Sequence, residues 1–267
     1  MNTVLRRVGG GLLAAGMLLG ATGCADPGTQ RREKFGKTFY LDGAGNLGFG
    51  ASDVPAGLRR AGYRGDVEIY MWTTSLNPLV DQLNIPAARF RASVLADKII
   101  AYQKQHPDNE INVIALSAGT GVATWAIEEL KGRAKVNNLI LLGSSLSNDY
   151  DVSTALQNMK GRIYVYYSPN DAVLEIVKLV GTIDGKRGVP SVGQVGLKPP
   201  SGQESRVVNI GWNEEWTRFG WAGTHTDCTS GQFVQVQISK HIVAPVGTAS
   251  TGETPGPPRR SYRASSR

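Results

Sequence analysis

Ser117, Asp171 and His225 are the residues of this sequence on which chemistry can be built. A serine hydroxyl is a poor nucleophile until a base takes its proton, and the base needs an acid to hold its tautomer. Ser117 ends a short apolar, β-branched run from Ile111 to Leu116, which predicts a buried strand. Ala123, Ile127 and Leu130 follow at helical spacing. A strand that turns sharply into a helix at a serine holds that hydroxyl out above the sheet. The small neighbours Ala118 and Gly119 suit the near-collision of strand and helix at such a turn. A serine that only begins a helix leaves the same local trace.

The stretch Ala115-Leu116-Ser117-Ala118-Gly119 resembles the nucleophile elbow of the α/β-hydrolase superfamily, G-x-S-x-G, with alanine in place of the first glycine. The resemblance implies that the partners follow in the order serine, acid, histidine. Asp171 lies in Tyr166-Tyr167-Ser168-Pro169-Asn170-Asp171, just past a predicted strand, similar to the family's acid turn. It also precedes a helical pattern over 172–180, where an aspartate suits the N-cap. His225, in Gly223-Thr224-His225-Thr226-Asp227, takes the family's histidine position, in a loop after the last clear strand. Of the other two histidines, His106 precedes Pro107 at a helix end and His241 falls inside the terminal element. Asp149 is the alternative acid, six residues past Gly143. The resemblance further implies an oxyanion hole from the backbone N–H of Ala118 and an N–H of the loop after the first strand, Gly43 or Ala44.

The elements that must position these residues alternate. Strands are predicted at Lys37–Leu41, Asp66–Thr73, Ile111–Leu116, Val136–Leu142, Arg162–Tyr167 and Arg206–Gly211. Helical patterns lie at Val54–Ala61, from Pro86 to about Gln105, after Ser117, at Ser153–Met159 and at Ala172–Val180. Phe233–Val243 fits helix or strand. The alternation predicts an α/β fold: a mostly parallel sheet of about six strands flanked by helices on both faces. It is similar to the α/β-hydrolase core from its third strand onward, in one domain over 36–246. Gly181–Ser205 is either a lid or a connection. Trp212, Trp216, Phe219, Trp221 and Trp72 either line a substrate pocket or plug the space beneath a loop. Gly43-Ala44-Gly45-Asn46-Leu47-Gly48 is a literal G-x-G-x-x-G after a strand, with Glu68 further on, and admits a dinucleotide reading. No helix opens directly at Gly48, and Glu68 comes early in its strand, which speaks against it.

Of the net charge of +7, two come from Arg6 and Arg7 and three from the tail 247–267, which leaves +2 on the body. So neutral a body argues against a nucleic-acid partner. Arg6 and Arg7, the apolar run Gly11–Leu19 and Ala21-Thr22-Gly23-Cys24 read as a signal peptide over 1–23. Cysteine after small residues resembles a bacterial lipoprotein signal, although Ala21 departs from the usual Leu, Val or Ile. The expectation is an exported protein anchored to a bacterial cell membrane by a lipid on Cys24, or, if an ordinary signal peptidase cuts at the same bond, periplasmic or secreted, with a tether over 24–35 and a disordered basic tail over 247–267. Without lipid, a Cys24–Cys228 disulfide becomes possible. No cluster has metal-ligand spacing, and no cofactor is implied. Together these features predict a serine hydrolase cleaving a carboxylic ester through an acyl-enzyme. Amide hydrolysis and acyl transfer use the same residues. The alternative is a non-catalytic surface lipoprotein that keeps the fold as a binding scaffold.

Overall fold

Side chains alternate across each strand, so the apolar runs face two ways and need cover on both sides. A computed structural model describes residues 27–243; the leader, Cys24 and the basic tail lie outside the described residues. Six strands form one sheet: β1 (Lys37–Leu41), β2 (Asp66–Ile69), β3 (Ile111–Leu116), β4 (Asn138–Leu142), β5 (Ile163–Tyr167) and β6 (Val207–Gly211). Their order is β2-β1-β3-β4-β5-β6, and every neighbouring pair is parallel. β2 stops before the predicted end at Thr73; its last ladder bond is Tyr70 N–H to Tyr40 O at 2.8 Å, beyond which β1 turns away at Asp42.

Phe39, Leu41, Val113, Ala115, Leu139 and Leu141 point to one face. There they meet α4 (Ile85–Gln105), α5 (Gly119–Glu128) and α6 (Ser153–Gln157). Asn84 caps α4 by accepting from the Ala87 N–H, and Pro86 sits in the first turn where it costs no hydrogen bond. Tyr40, Ile114, Leu116, Ile140, Leu142 and Tyr166 point to the other face. α2 (Asp53–Arg60) and α9 (Gly231–Val236) cover it. The ambiguous terminal element is therefore helical: α9 followed by a 3-10 turn over Ile238–His241.

Two expected segments differ from the reading of the sequence. Within the tether expected over 24–35, Pro27–Glu33 forms a helix, α1. Arg32 holds Asp66 at 3.0 Å and Glu33 holds Lys37 at 2.6 Å, so these charges dock the segment on the sheet rather than solvate it. Gly181–Ser205 is a connection and not a lid. It is stitched to the end of β4 through Ile183 N–H to Ser145 O at 3.0 Å and Val192 N–H to Leu146 O at 2.8 Å. Ile183 and Val192 are fully buried, and a short helix α8 (Val192–Val195) packs there.

Candidate active site

In an open parallel sheet, ligands bind beyond the carboxyl ends of the strands where the strand order reverses. Here the chain goes from β1 outward to β2, then returns past β1 to β3, so the switch lies between β1 and β3. The residues that follow those two strands are Asp42-Gly43 and Ser117. A Cβ on Gly43 would stand 3.2 Å from Ser117 Cβ. Ser117 has φ +52°, a left-handed conformation that a serine adopts only when its surroundings impose it. Its N–H donates to Leu142 O at 3.0 Å, and α5 begins two residues later. Gly119 is required there: a Cβ would meet Asp42 O at 2.3 Å. The expected elbow is formed, with Ala115 buried in the core beneath α5.

Asp171 and His225 come together although 54 residues separate them. His225 Nδ1 lies 2.6 Å from Asp171 Oδ2, and their side chains are 10% and 2% exposed. Asp171 is also the N-cap of α7 (Ala172–Val180): Oδ1 accepts from Val173 and Leu174 N–H at 3.1 and 3.2 Å. Each oxygen thus makes one of the two contacts that the two readings of Asp171 call for. Gly143, at the tip of β4 with φ +46°, leaves room for the pair, since a Cβ would lie 3.3 Å from His225 Nδ1. Among the described residues no hydrogen bond joins Ser117 Oγ to the imidazole; both open onto one cavity, and such bonds often tighten only with substrate present.

The histidine loop is held from beneath. Trp221 Nε1 donates to Thr224 O at 3.2 Å, and Cys228 Sγ donates to His225 O at 3.3 Å. Trp216, Trp221, Phe233 and Tyr166 form one aromatic cluster on the face of the sheet that α2 and α9 cover. The tryptophans near His225 are thus the plug and not the pocket lining. Trp72 instead donates Nε1 to Asp42 O at 2.8 Å. Burial raises the Cys228 thiol well above its ordinary pKa, and the thiol is 1% exposed. A bridge to Cys24 would require this loop to open.

The glycine-rich loop after β1 is organised by two buried carboxylates. Asp42 accepts from Gly43 N–H at 2.8 Å, Gly48 N–H at 2.5 Å and Phe49 N–H at 3.0 Å. Tyr40 OH donates to the same carboxylate at 3.3 Å. Asp81 accepts from Gly45 N–H at 2.7 Å and from Thr73 Oγ1 at 2.9 Å. Gly43 is not an oxyanion donor, because its N–H is committed to Asp42; Ala44, the next residue, has no acceptor among the described residues, and neither has Ala118. The dinucleotide reading fails, because the N–H groups that would cradle a pyrophosphate already serve carboxylates that would repel one. Glu68 is likewise occupied, by Lys37 and Lys98, each at 2.8 Å. Asp149 is not the acid: it is exposed and pairs with Lys186 at 2.7 Å, a contact that lowers its pKa.

Ser117, His225, Gly43 and Ala44 line a cavity of about 370 Å³. Its other walls come from Leu47 and Phe49 of the same loop, from α7 and from a short helix α3 (Pro78–Leu83), for which the sequence predicted no element. A signal was present: Asn77-Pro78 is an N-cap followed by proline, and Asn77 Oδ1 accepts from Leu79 and Val80 N–H. Asp81 and Gly143 also escaped the sequence reading, since only the folded chain brings them to the site.

No family model and no curated protein matches the chain. Solved structures similar to it include a cutinase-like protein from Cryptococcus sp., at 16% identity and a TM-score of 0.41, covering 78% of this chain and 92% of that one. A pyrethroid hydrolase is similar at 10% identity and a TM-score of 0.45, covering 78% and 96%. An extracellular α/β-hydrolase from a Paenibacillus species is similar at 9% and 0.41, covering 77% and 97%. The parallel strand order, a left-handed serine between β3 and its helix, and an acid and a histidine later in the chain meeting beside it give this protein the fold of the α/β-hydrolase superfamily.

Proposed function

We propose that this protein is a serine hydrolase that cleaves carboxylic esters through an acyl-enzyme. The observation that carries the reading is the contact of Asp171 with His225 at 2.6 Å, beside an elbow serine that opens onto the same cavity. Asp171 Oδ2 accepts from His225 Nδ1–H and so leaves Nε2 free to accept a proton. Ser117 Oγ attacks the ester carbonyl while Nε2 takes its proton. The oxyanion accepts from the N–H groups of Ala44 and Ala118. The imidazolium then protonates the departing alcohol, and water, activated by the same nitrogen, releases the acid and restores Ser117.

The test is labelling of the protein with a fluorophosphonate probe, alongside turnover of p-nitrophenyl acetate. Wild type labels and turns over ester, whereas Ser117→Ala and His225→Ala do neither while keeping the wild-type circular dichroism. A folded wild type that neither labels nor hydrolyses would sink the enzyme and leave the fold as a scaffold.

A further inference from the structure

We infer that the ester cleaved at Ser117 carries an extended aliphatic acyl chain, held in the cleft between α3 and α7. The inference rests on the hydrolase reading and deepens it. No residue lining the cavity is an aspartate, glutamate, lysine or arginine. Gln82 is polar, but its amide is spent: Nε2 donates to Gly181 O at 3.1 Å and Oε1 accepts from Ser145 Oγ at 3.3 Å. Away from the reacting groups, the walls are aliphatic side chains, among them Leu47, Leu79, Val173, Ile176 and Val177, with Phe49 beside them. Such a cleft offers a polar or charged acyl group no partner, and burying one there would be unfavourable.

Direction follows from the helix. α7 starts just after its cap Asp171, next to His225, and runs away from it. Val173, Ile176, Val177 and Val180 repeat at helical spacing along the cleft, a wall about 10 Å long. The departing alcohol must sit at His225, which protonates it. The far end of the cleft is therefore left to the acyl chain.

α3 supports the assignment independently. A short surface helix ordinarily buries its apolar residues and exposes its polar ones. α3 does the reverse: Asp81 and Gln82 are 5% exposed each, whereas Leu79, Val80 and Leu83 are 44–51% exposed. The polar pair fastens the helix to the oxyanion loop and to the turn at Gly181. Leu79 is left as cleft wall, not as core.

The experiment is a chain-length series: kcat/KM for p-nitrophenyl acetate, butyrate, hexanoate and octanoate, each below its aggregation limit. Wild type is expected to gain about fourfold per added methylene until the cleft is filled. Ile176→Glu charges an exposed position of the wall, so the octanoate-to-acetate ratio falls about tenfold or more. Leu179→Glu, also exposed on α7 but outside the cavity lining, keeps the wild-type ratio. A flat or falling series from a protein that labels with fluorophosphonate overturns the inference and leaves the hydrolase standing. Equal loss in both variants overturns it too, because a general surface effect would then explain the preference. A matching series of alkyl acetates runs beside the acyl series, and a preference found only there overturns the inference by assigning the cleft to the alcohol. Failure of labelling and of acetate turnover would remove the hydrolase reading and the inference together.

Discussion

Asp171 divides its two carboxylate oxygens between two tasks. One caps α7 through Val173 and Leu174, and the other faces His225 Nδ1. The tasks separate experimentally. Asp171→Asn keeps an oxygen for the cap but turns an N–H₂ toward the imidazole, which then carries its proton on Nε2 and cannot act as base. Turnover of p-nitrophenyl acetate is expected to fall roughly ten-thousand-fold, with little change in thermal midpoint. Asp171→Ala loses the cap as well, and its midpoint drops further, by about 2–4 °C for a cap of about 1 kcal/mol. Equal midpoints in the two variants would show that the cap contributes nothing. The sequence allowed both roles at this residue, because strand end, N-cap position and chain order are all local or ordinal features. It ranked Asp149 second only for standing six residues past Gly143, whereas which carboxylate meets His225 depends on where two distant loops end up.

At the scale of elements, the loop from Asp42 to Gly50 owes its shape to a carboxylate and not to its glycines alone. Asp42 is 1% exposed and collects three backbone N–H groups and the Tyr40 hydroxyl. Burial, then the Asp42 charge, pushes the Tyr40 hydroxyl well above its ordinary pKa, so it remains a donor. Those bonds leave the Ala44 N–H, which has no acceptor among the described residues, as the proposed oxyanion donor of this loop. Asp42→Asn places an N–H₂ against donors and is expected to release the loop. The result should be a kcat lowered about a hundredfold, with KM for p-nitrophenyl acetate much less affected. Unchanged kcat with a lowered thermal midpoint would make Asp42 purely structural. G-x-G-x-x-G was legible as a motif, but its meaning was not. The motif describes spacing, whereas the function of each N–H depends on Asp81, which another element supplies from 36 residues away.

For the molecule as a whole, the terminal 3-10 turn ties stability to pH. His241 stacks on Tyr164 with ring centroids 3.7 Å apart, and its Nε2 lies 2.9 Å from Tyr166 OH. Burial, with help from the Lys240 charge, lowers its pKa from 6.5 to about 4. The native state therefore disfavours the protonated ring, while the unfolded chain accepts a proton from about pH 6.5 downward. Stability is full above that value and is lost progressively as pH falls toward about 4. Replacing His241 with Gln removes this titration. The fall in thermal midpoint between neutral pH and the acid end of that window should be shallower in His241→Gln than in wild type, measured by circular dichroism. Parallel curves would show that His241 does not set the acid limit.

What the sequence by itself determined are the features carried by short-range pattern. β1 and β3 follow from short runs rich in aromatic, aliphatic and β-branched residues, the elbow from small residues around Ser117, and α7 from its amphipathic spacing and its aspartate cap. The order of serine, acid and histidine along the chain belongs here too, because order survives folding. Only the tertiary structure decided the rest. It made the tryptophans a support for the His225 loop, spent the Gly43 N–H on Asp42, and set α3 with its polar side inward. Each of these depends on which groups meet across the sheet end, and a buried polar group takes whichever partner the fold brings within reach, a choice that no local pattern records.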